Sequence, residues 1–248
     1  MLEQCIIFVI SLIANIFSAF SGGGAGLIQL PALIFLGLPF PIALATHKVA
    51  SVALGVGATI RHLKNNQFRK HYVVLMLASG LPGVILGANI ILQIPNVVAT
   101  TALGVMTMAL GIYSFLNADL GQTVKNHSKS RRQIAIGSIG LFLIGILNGS
   151  LTSGTGLFAT LWLIIWFGLD YKLAVAYTLV FVGLFWNGAG ALTLGFIGEI
   201  HWAWLPALLL GSLLGGYIGA HLSIVKGNQA IKRVYEIITI LVGLKLIF

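Results

Sequence analysis

The sequence predicts an all-α integral membrane protein that crosses the bilayer several times and consists of two related halves. Of its 248 residues, 58% are hydrophobic and only 8% are charged, whereas a soluble domain carries about 25% charged residues. Several segments are long and apolar enough to cross a membrane as helices. Residue patterns of the first half return in the second half at a nearly constant offset.

Most of the chain divides into apolar segments of the length, about 20 residues, that a spanning helix requires. The full-length candidates are Phe40–Arg61, His71–Gln93, Val97–Asn117, Lys172–Leu194, Trp202–Leu222 and Ala230–Phe248. Two further segments, Leu2–Gly37 and Ile134–Gly168, are too long for one span, and a glycine-rich run interrupts each near its middle. We expect each of them to form two short helices that meet at a non-helical tip.

The two halves look like copies of one unit. Gly24 and Gly26 recur as Gly154 and Gly156, and many other small residues recur at offsets that rise only from 130 to 132. Shared apolar composition explains such a register poorly, so we infer a duplication. The prediction is a single transmembrane domain over residues 1–248, with one repeat over 1–117, a cytoplasmic linker over 118–133 and a second repeat over 134–248.

The distribution of basic residues predicts that the two copies are inverted. Cytoplasmic loops of membrane proteins are rich in Lys and Arg. The stretch His62–Lys70 and the linker are basic, but Gly195–His201, which corresponds to the first of these, has no Lys or Arg and carries Glu199. The next loop, Ser223–Arg233, is basic again. All basic loops lie inside only if each half crosses an odd number of times, with a broken hairpin plus three full spans.

The formal charge of +9 does not indicate nucleic-acid binding, because the basic residues lie between apolar segments and no soluble module remains to bind it. We expect the lipid bilayer and a small anionic substrate as partners, with a homodimer as an open alternative. The expected location is the plasma membrane, which is the inner membrane of the cell.

The two glycine-rich tips are the first candidate site. Irregular backbone at membrane depth survives only where protein or a water-filled cavity surrounds it, and helix N-termini bind anions through their N–H groups. The alternative is that these glycines only allow close helix packing. The candidate residues are Ser21, Gly22, Gly23, Gly24 and Gly26 in the first tip, and Thr152, Ser153, Gly154, Thr155 and Gly156 in the second.

Lys48 is the second candidate, because it lies within an apolar span next to Thr46 and His47. A charge there costs about 2.5–3.5 kcal/mol on insertion scales, and no acidic residue is evident at the same depth. A bound anion would be the natural counter-ion. Two alternatives remain open: Lys48 reaches the membrane surface, or Glu236 pairs with it. His47 could carry a proton or simply join two helices by hydrogen bonds.

Polar side chains on other apolar segments tend to face the interior of a helix bundle, and Thr178 and Asn187 are candidates for the same cavity. The sequence has no H-E-x-x-H, G-x-S-x-G or nucleotide-binding P-loop motif, and its single Cys5 excludes a multi-cysteine metal site. We therefore expect neither an enzyme nor a cofactor.

These motifs together resemble the sulfite exporter TauE/SafE family of membrane permeases. The first half contributes Gly22-Gly23-Gly24-Ala25-Gly26-Leu27, Leu30-Pro31, Gly37-Leu38-Pro39 and Thr46-His47-Lys48, and the second contributes Gly154-Thr155-Gly156-Leu157, Gly168-Leu169-Asp170 and Gly215 to Ala220. The resemblance covers nearly the whole chain. It implies transport of sulfite, sulfonates or related small sulfur-containing or organic anions across the plasma membrane.

The resulting expectation is a secondary transporter of a small anion, with the substrate near mid-membrane between the two tips and no ATP involved. An anion channel that uses the same site is the first alternative. A membrane enzyme or assembly partner that transports nothing is the second.

Overall fold

The structure is a computed structural model that describes residues 2–65, 68–90, 96–125, 130–150, 154–197 and 199–247. Within those ranges the secondary structure is entirely helical, as predicted. Large apolar side chains face outward, and Phe35 and Phe196 are each 87% exposed. A soluble protein rarely presents so much apolar surface, and a bilayer covers it.

Five helices form the first half of the chain. They are α1 (Leu2–Ser21), α2 (Ala25–Phe35), α3 (Phe40–Leu63), α4 (Lys70–Ile90) and α5 (Asn96–Leu116). Of these, α1, α3 and α4 are long and apolar enough to cross a membrane. The predicted spans from Phe40, His71 and Val97 correspond to α3, α4 and α5.

The second half begins with α6 (Arg131–Ser150) and α7 (Thr155–Ile165). A continuous helical run then comprises α8 (Tyr171–Tyr177), a π-helical segment (Thr178–Trp186) and α9 (Asn187–Ile197). After a short 3₁₀ turn, α10 (Leu205–Ile247) covers most of the last two predicted spans. Gly227, with φ 79° and ψ −178°, breaks α10 between them.

The broken segments differ from the prediction in one respect. Each begins with a helix of 20 residues, α1 or α6, and ends with one of 11 residues, α2 or α7, whereas the sequence suggested two short helices. The reason in the first half is that every residue up to Ser21 is compatible with a helix. The chain leaves that conformation only at Gly22, where φ is 90°.

Glycine contacts fix how the long helices pack, and α1 lies along residues 205–226. A Cβ added at Gly211 would be 2.7 Å from the Phe8 carbonyl oxygen, and one at Gly219 would be 2.3 Å from that of Ile16. Small residues of this kind allow two membrane helices to approach closely. Since later residues of one helix meet later residues of the other, the two helices run in the same direction.

The helices α4 and α6 pack in the same manner. A Cβ added at Gly145 would be 2.5 Å from the Gly80 carbonyl oxygen, and one at Gly149 would be 2.0 Å from that of Val84. These two helices therefore also run in the same direction as each other.

Other contacts give the remaining directions. Helix α3 runs parallel to residues 205–226 but antiparallel to the π-helical segment and α9, while α4 runs parallel to α8 and the π-helical segment. Helix α5 runs antiparallel to residues 228–247. Two contacts establish each direction. In the order given, they are Thr46–His201 with Arg61–His221, Lys48–Asn187 with Gly55–Gly183, Tyr72–Tyr177 with Gly80–Trp186, and Ser114–Glu236 with Gly104–Gly243.

Candidate functional site

A small cavity lies where the two broken segments meet in the interior of the helix bundle. Its volume is about 40 Å³. Residues from both halves of the chain line it: Ser18, Gly22, Gly23, Gly24, Ala25, Gly26, His47, Ser51, Leu54, Asn148, Thr155, Gly156, Thr178, Leu179, Val182, Gly183 and Asn187.

The two tips touch each other beside the cavity. A Cβ added at Gly23 would be 2.7 Å from the Gly156 Cα, so only glycine permits this approach. The Thr160 hydroxyl donates to the Gly22 carbonyl oxygen at 2.9 Å, which ties the first tip to α7. The short helices thus both begin at the cavity wall.

The starts of α2 and α7 have the same geometry. Gly24 and Gly154 precede the two helices in left-handed conformations, with φ of 100° and 78°. The N–H groups in the first turn of a helix have no carbonyl partner four residues earlier within that helix, and the positive end of the helix dipole lies there. Two such ends at one cavity favour a negatively charged occupant.

Lys48 lies behind this wall and is completely buried. Its Nζ donates to the Asn148 carbonyl oxygen at 2.6 Å, to Asn148 Oδ1 at 2.9 Å and to Asn187 Oδ1 at 3.3 Å. An ammonium group has three hydrogens, and these three acceptors account for all of them. Lys48 does not line the cavity, although both of its asparagine partners do.

The two asparagines also contact each other and the second tip. Asn148 Nδ2 donates to Thr155 Oγ1 at 2.9 Å and to Asn187 Oδ1 at 3.2 Å. Asn187 Oδ1 thus accepts from both Lys48 and Asn148, which fixes the orientation of its amide.

His47 joins α2 and α3 and also reaches the cavity. Its Nδ1 lies 2.6 Å from Gln29 Oε1. Because Gln29 Nε2 donates to Ser11 Oγ at 2.9 Å, Oε1 is the acceptor and Nδ1 carries the hydrogen. The other ring nitrogen, Nε2, lies 3.1 Å from Ser51 Oγ, and His47 and Ser51 both line the cavity.

Ser18 and Ser51 also line the cavity and were missed from sequence, whereas Asn148 was expected to face the bundle interior but was not assigned to the site. Ser18 is 2% exposed, and its Oγ has no hydrogen-bond partner among the described residues. The repeat contained a usable signal, because Ser18 corresponds to Asn148 at the offset of 130 that relates Gly24 to Gly154. A polar residue at the same position in both copies could have identified the pair.

Most of the predicted site residues come together. Those that line the cavity are Gly22, Gly23, Gly24, Gly26, His47, Thr155, Gly156, Thr178 and Asn187.

Four predicted residues lie nearby without lining the cavity. Ser21 donates to the carbonyl oxygens of Phe17 and Gly23, Thr46 accepts from the His201 N–H, and Gly154 precedes α7. Lys48 is the fourth. Two further residues, Thr152 and Ser153, lie outside the described residues.

Glu236, which the sequence left open as a partner of Lys48, is occupied elsewhere. It forms an ion pair with Lys232 one turn away and accepts from Ser114 Oγ at 2.8 Å. Lys232 also donates to the Ser114 carbonyl oxygen at 2.6 Å. Within the described part of the chain, the hydrogen bonds of Lys48 go to amide oxygens only.

A multi-pass helical fold with a polar cavity between broken helices is the architecture of a membrane transporter. The comparison with protein families agrees, since the family model described as "Sulfite exporter TauE/SafE" matches residues 7–246. The chain belongs to this family. It is a membrane transporter and not an enzyme.

Several curated bacterial proteins are similar to the chain over almost its whole length. "Probable membrane transporter protein" of Haemophilus influenzae is 25% identical, covering 98% of this chain and 94% of the relative. "Probable membrane transporter protein ORF9" of Sinorhizobium sp is 27% identical, covering 97% and 91%. "Probable membrane transporter protein YfcA" of Escherichia coli K12 is 24% identical, covering 98% and 89%. No solved structure matches the chain.

Proposed function

We propose that the protein is a secondary transporter of a small anion, namely sulfite, a sulfonate or a related sulfur-containing or organic anion, in the plasma membrane. The observation that carries this proposal is the convergence of the N-termini of α2 and α7 on one buried cavity. The Asn187 amide and the buried positive charge of Lys48 lie on the same side of that cavity. Sulfite and sulfonate groups each present three acceptor oxygens to such donors.

The size of the cavity favours the smallest of these anions. One water molecule needs a cavity volume of at least about 10–15 Å³. A cavity of about 40 Å³ therefore holds roughly three water molecules. Sulfite, with four non-hydrogen atoms, suits this volume better than sulfoacetate, which has an additional carboxylate arm. We therefore expect sulfite to be carried in preference to the larger sulfonates.

The packing directions support an inverted repeat as the basis of transport. Following the contacts from helix to helix, α1 runs opposite to α6, α3 opposite to α9, α4 opposite to residues 205–226, and α5 opposite to residues 228–247. Each of these is a pair that the sequence repeat relates. Halves of opposite orientation allow alternating access by rocking of one half against the other around a central substrate.

Flux measurements test the proposed function directly. Purified protein is reconstituted into liposomes, and uptake of radiolabelled sulfite, thiosulfate and sulfoacetate is measured with empty liposomes as the control. We expect saturable sulfite uptake that accelerates when unlabelled sulfite is present on the opposite side. Conductance in a planar bilayer without such trans-stimulation would indicate a channel, and no flux of any of the three anions would refute the proposal.

A further inference from the structure

We propose that Lys48 is a positioning residue, which acts on the anion through Asn148 and Asn187 instead of binding it. The inference rests on the proposed function, because it concerns the same cavity. It assigns to the lysine a task that differs from the counter-ion role its place in the sequence suggested.

The first step is that Lys48 has no hydrogen left for an anion. Its three partners, the Asn148 carbonyl oxygen and the Oδ1 atoms of Asn148 and Asn187, are all acceptors. The methylene groups of Lys48 pack against Gly190, where an added Cβ would be 3.2 Å from the lysine Cε. Gly190 thus packs against the same end of the side chain that bonds to the asparagines.

The second step is that the ammonium determines the orientation of both amides. A side-chain amide can bond in either of two flipped orientations, and a cation beside it stabilises the one in which oxygen faces the charge. With both Oδ1 atoms on Lys48, the Nδ2 atoms are left to bond to other groups, and Asn148 Nδ2 also reaches Asn187 Oδ1 at 3.2 Å. Asn148 Nδ2 meets Thr155 at the second tip, and Asn187 is one of the residues that line the cavity.

The consequence is that the charge of Lys48 orients hydrogen-bond donors at the cavity without contacting the anion itself. Asn187 donates directly to the anion, while Asn148 fixes Thr155 at the start of α7. An amide polarised by a buried cation is a stronger donor than a free one, because hydrogen bonds in low dielectric reinforce one another. These donors favour an anion that only accepts hydrogen bonds, and they do not favour a neutral or cationic solute.

A mutant cycle in proteoliposomes tests the inference. Initial rates are measured with whichever of sulfite, thiosulfate and sulfoacetate the wild type carries fastest, for Lys48→Met, Asn187→Ala and the double variant. Each single change should lower Vmax/KM roughly 10- to 100-fold, as expected for a hydrogen bond to a charged group. The double variant should lose at least tenfold less than the product of the two single losses, because residues that act as a unit are not additive.

A second variant keeps the inference testable if Lys48→Met does not fold. In Asn187→Asp the carboxylate still accepts from Lys48 and Asn148 but has no N–H for the cavity, so the fold should persist while KM rises at least tenfold. The matched control is Asn117→Asp, at an exposed asparagine that donates to the Tyr113 carbonyl oxygen at the end of α5. It should leave transport unchanged.

The outcomes separate this inference from the proposed function. If the wild type carries none of the three anions, the proposed function fails and the inference fails with it. If the wild type carries an anion but the double variant loses the full product of the single losses, Lys48 acts independently of Asn187 and only the inference is overturned. Unchanged kinetics in Asn187→Asp would overturn it as well.

Discussion

Two serines one turn apart in α1 illustrate how burial alone fails to identify a binding residue. Ser18 and Ser21 are both buried, but their hydroxyl groups differ in what they contact. Ser21 Oγ donates to the carbonyl oxygens of Phe17 at 2.9 Å and Gly23 at 3.1 Å. Ser18 Oγ has no partner among the described residues, and Ser18 is one of the residues that line the cavity. Most buried polar groups in proteins have a hydrogen-bond partner, so the Ser18 hydroxyl is the one of the two that a substrate in the cavity would engage.

The two serines should therefore respond differently to removal of the hydroxyl group. Ser18→Ala should raise KM for the transported anion by about 2- to 10-fold, the value of one ordinary hydrogen bond, with little change in thermal stability. Ser21→Ala should lower stability by about 1 kcal/mol and leave KM nearly unchanged. Uptake kinetics and thermal unfolding in detergent give both values. An equal rise of KM in both variants would contradict the distinction.

The ion pair of Lys232 and Glu236 is a second feature at this scale. Both side chains are largely buried in the last part of α10, and Ser114 of α5 bonds to each of them. Removing one partner of a buried pair leaves an uncompensated charge, which costs about 3–5 kcal/mol. Replacing both partners with apolar residues of similar volume is often neutral.

Glu236→Gln should accordingly lower the thermal midpoint of the purified protein markedly, and Lys232→Met/Glu236→Leu should restore most of the loss. Lys226→Met, at an exposed lysine on the same helix, serves as the control and should have little effect. A double variant as unstable as Glu236→Gln would show that specific hydrogen bonds, and not charge compensation, hold this part of the bundle.

The sequence identified Lys48, His47 and Asn187 because charged and polar groups within apolar spans are conspicuous. It could not supply their partners. Lys48 and Asn148 are 100 positions apart in the chain, and nothing in the local pattern of either residue points to the other. The tertiary fold alone decides that the lysine meets two amide oxygens instead of a carboxylate.

At the scale of elements, the helix breaks at the glycine-rich runs were predictable, but the contacts that these glycines make were only partly predictable. Their composition predicted breaks in the helices, and the structure confirms a break at residues 22–24. The contact between the two tips depends on the whole bundle. The π-helical segment Thr178–Trp186 had no sequence signal either, since its apolar composition is equally typical of an α-helix.

Two glycines of positive φ, one inside the first tip and one outside it, allow a direct comparison. Gly23→Ala would place a Cβ 2.7 Å from the Gly156 backbone, so the tips would have to separate. At Gly37, where φ is 103°, a Cβ meets nothing within 4 Å, and only the left-handed backbone strain of about 1–2 kcal/mol remains. We expect Gly23→Ala to abolish uptake and Gly37→Ala to retain it, as measured at equal amounts of reconstituted protein. Retained uptake in Gly23→Ala would show that contact between the tips is not required.

At the scale of the whole molecule, the loop charges and the helix packing are two separate observations that both support the inverted arrangement proposed above. The charges concern loops, which have few tertiary contacts, while the packing directions come from buried contacts between helices. The proposed inverted topology makes a prediction that is independent of any substrate.

Cysteine labelling tests this topology at two corresponding loops. In a Cys5→Ser background, Lys64→Cys follows α3, and Glu199→Cys follows α9, the helix related to α3 by the repeat. Because basic loops face the cytoplasm, a membrane-impermeant maleimide added to intact cells should label Glu199→Cys at once and Lys64→Cys only after permeabilisation. Asp119→Cys in the basic linker should behave like Lys64→Cys. Labelling of residues 64 and 199 from the same side would mean that the two halves have the same orientation, and rocking of inverted halves could then not explain transport.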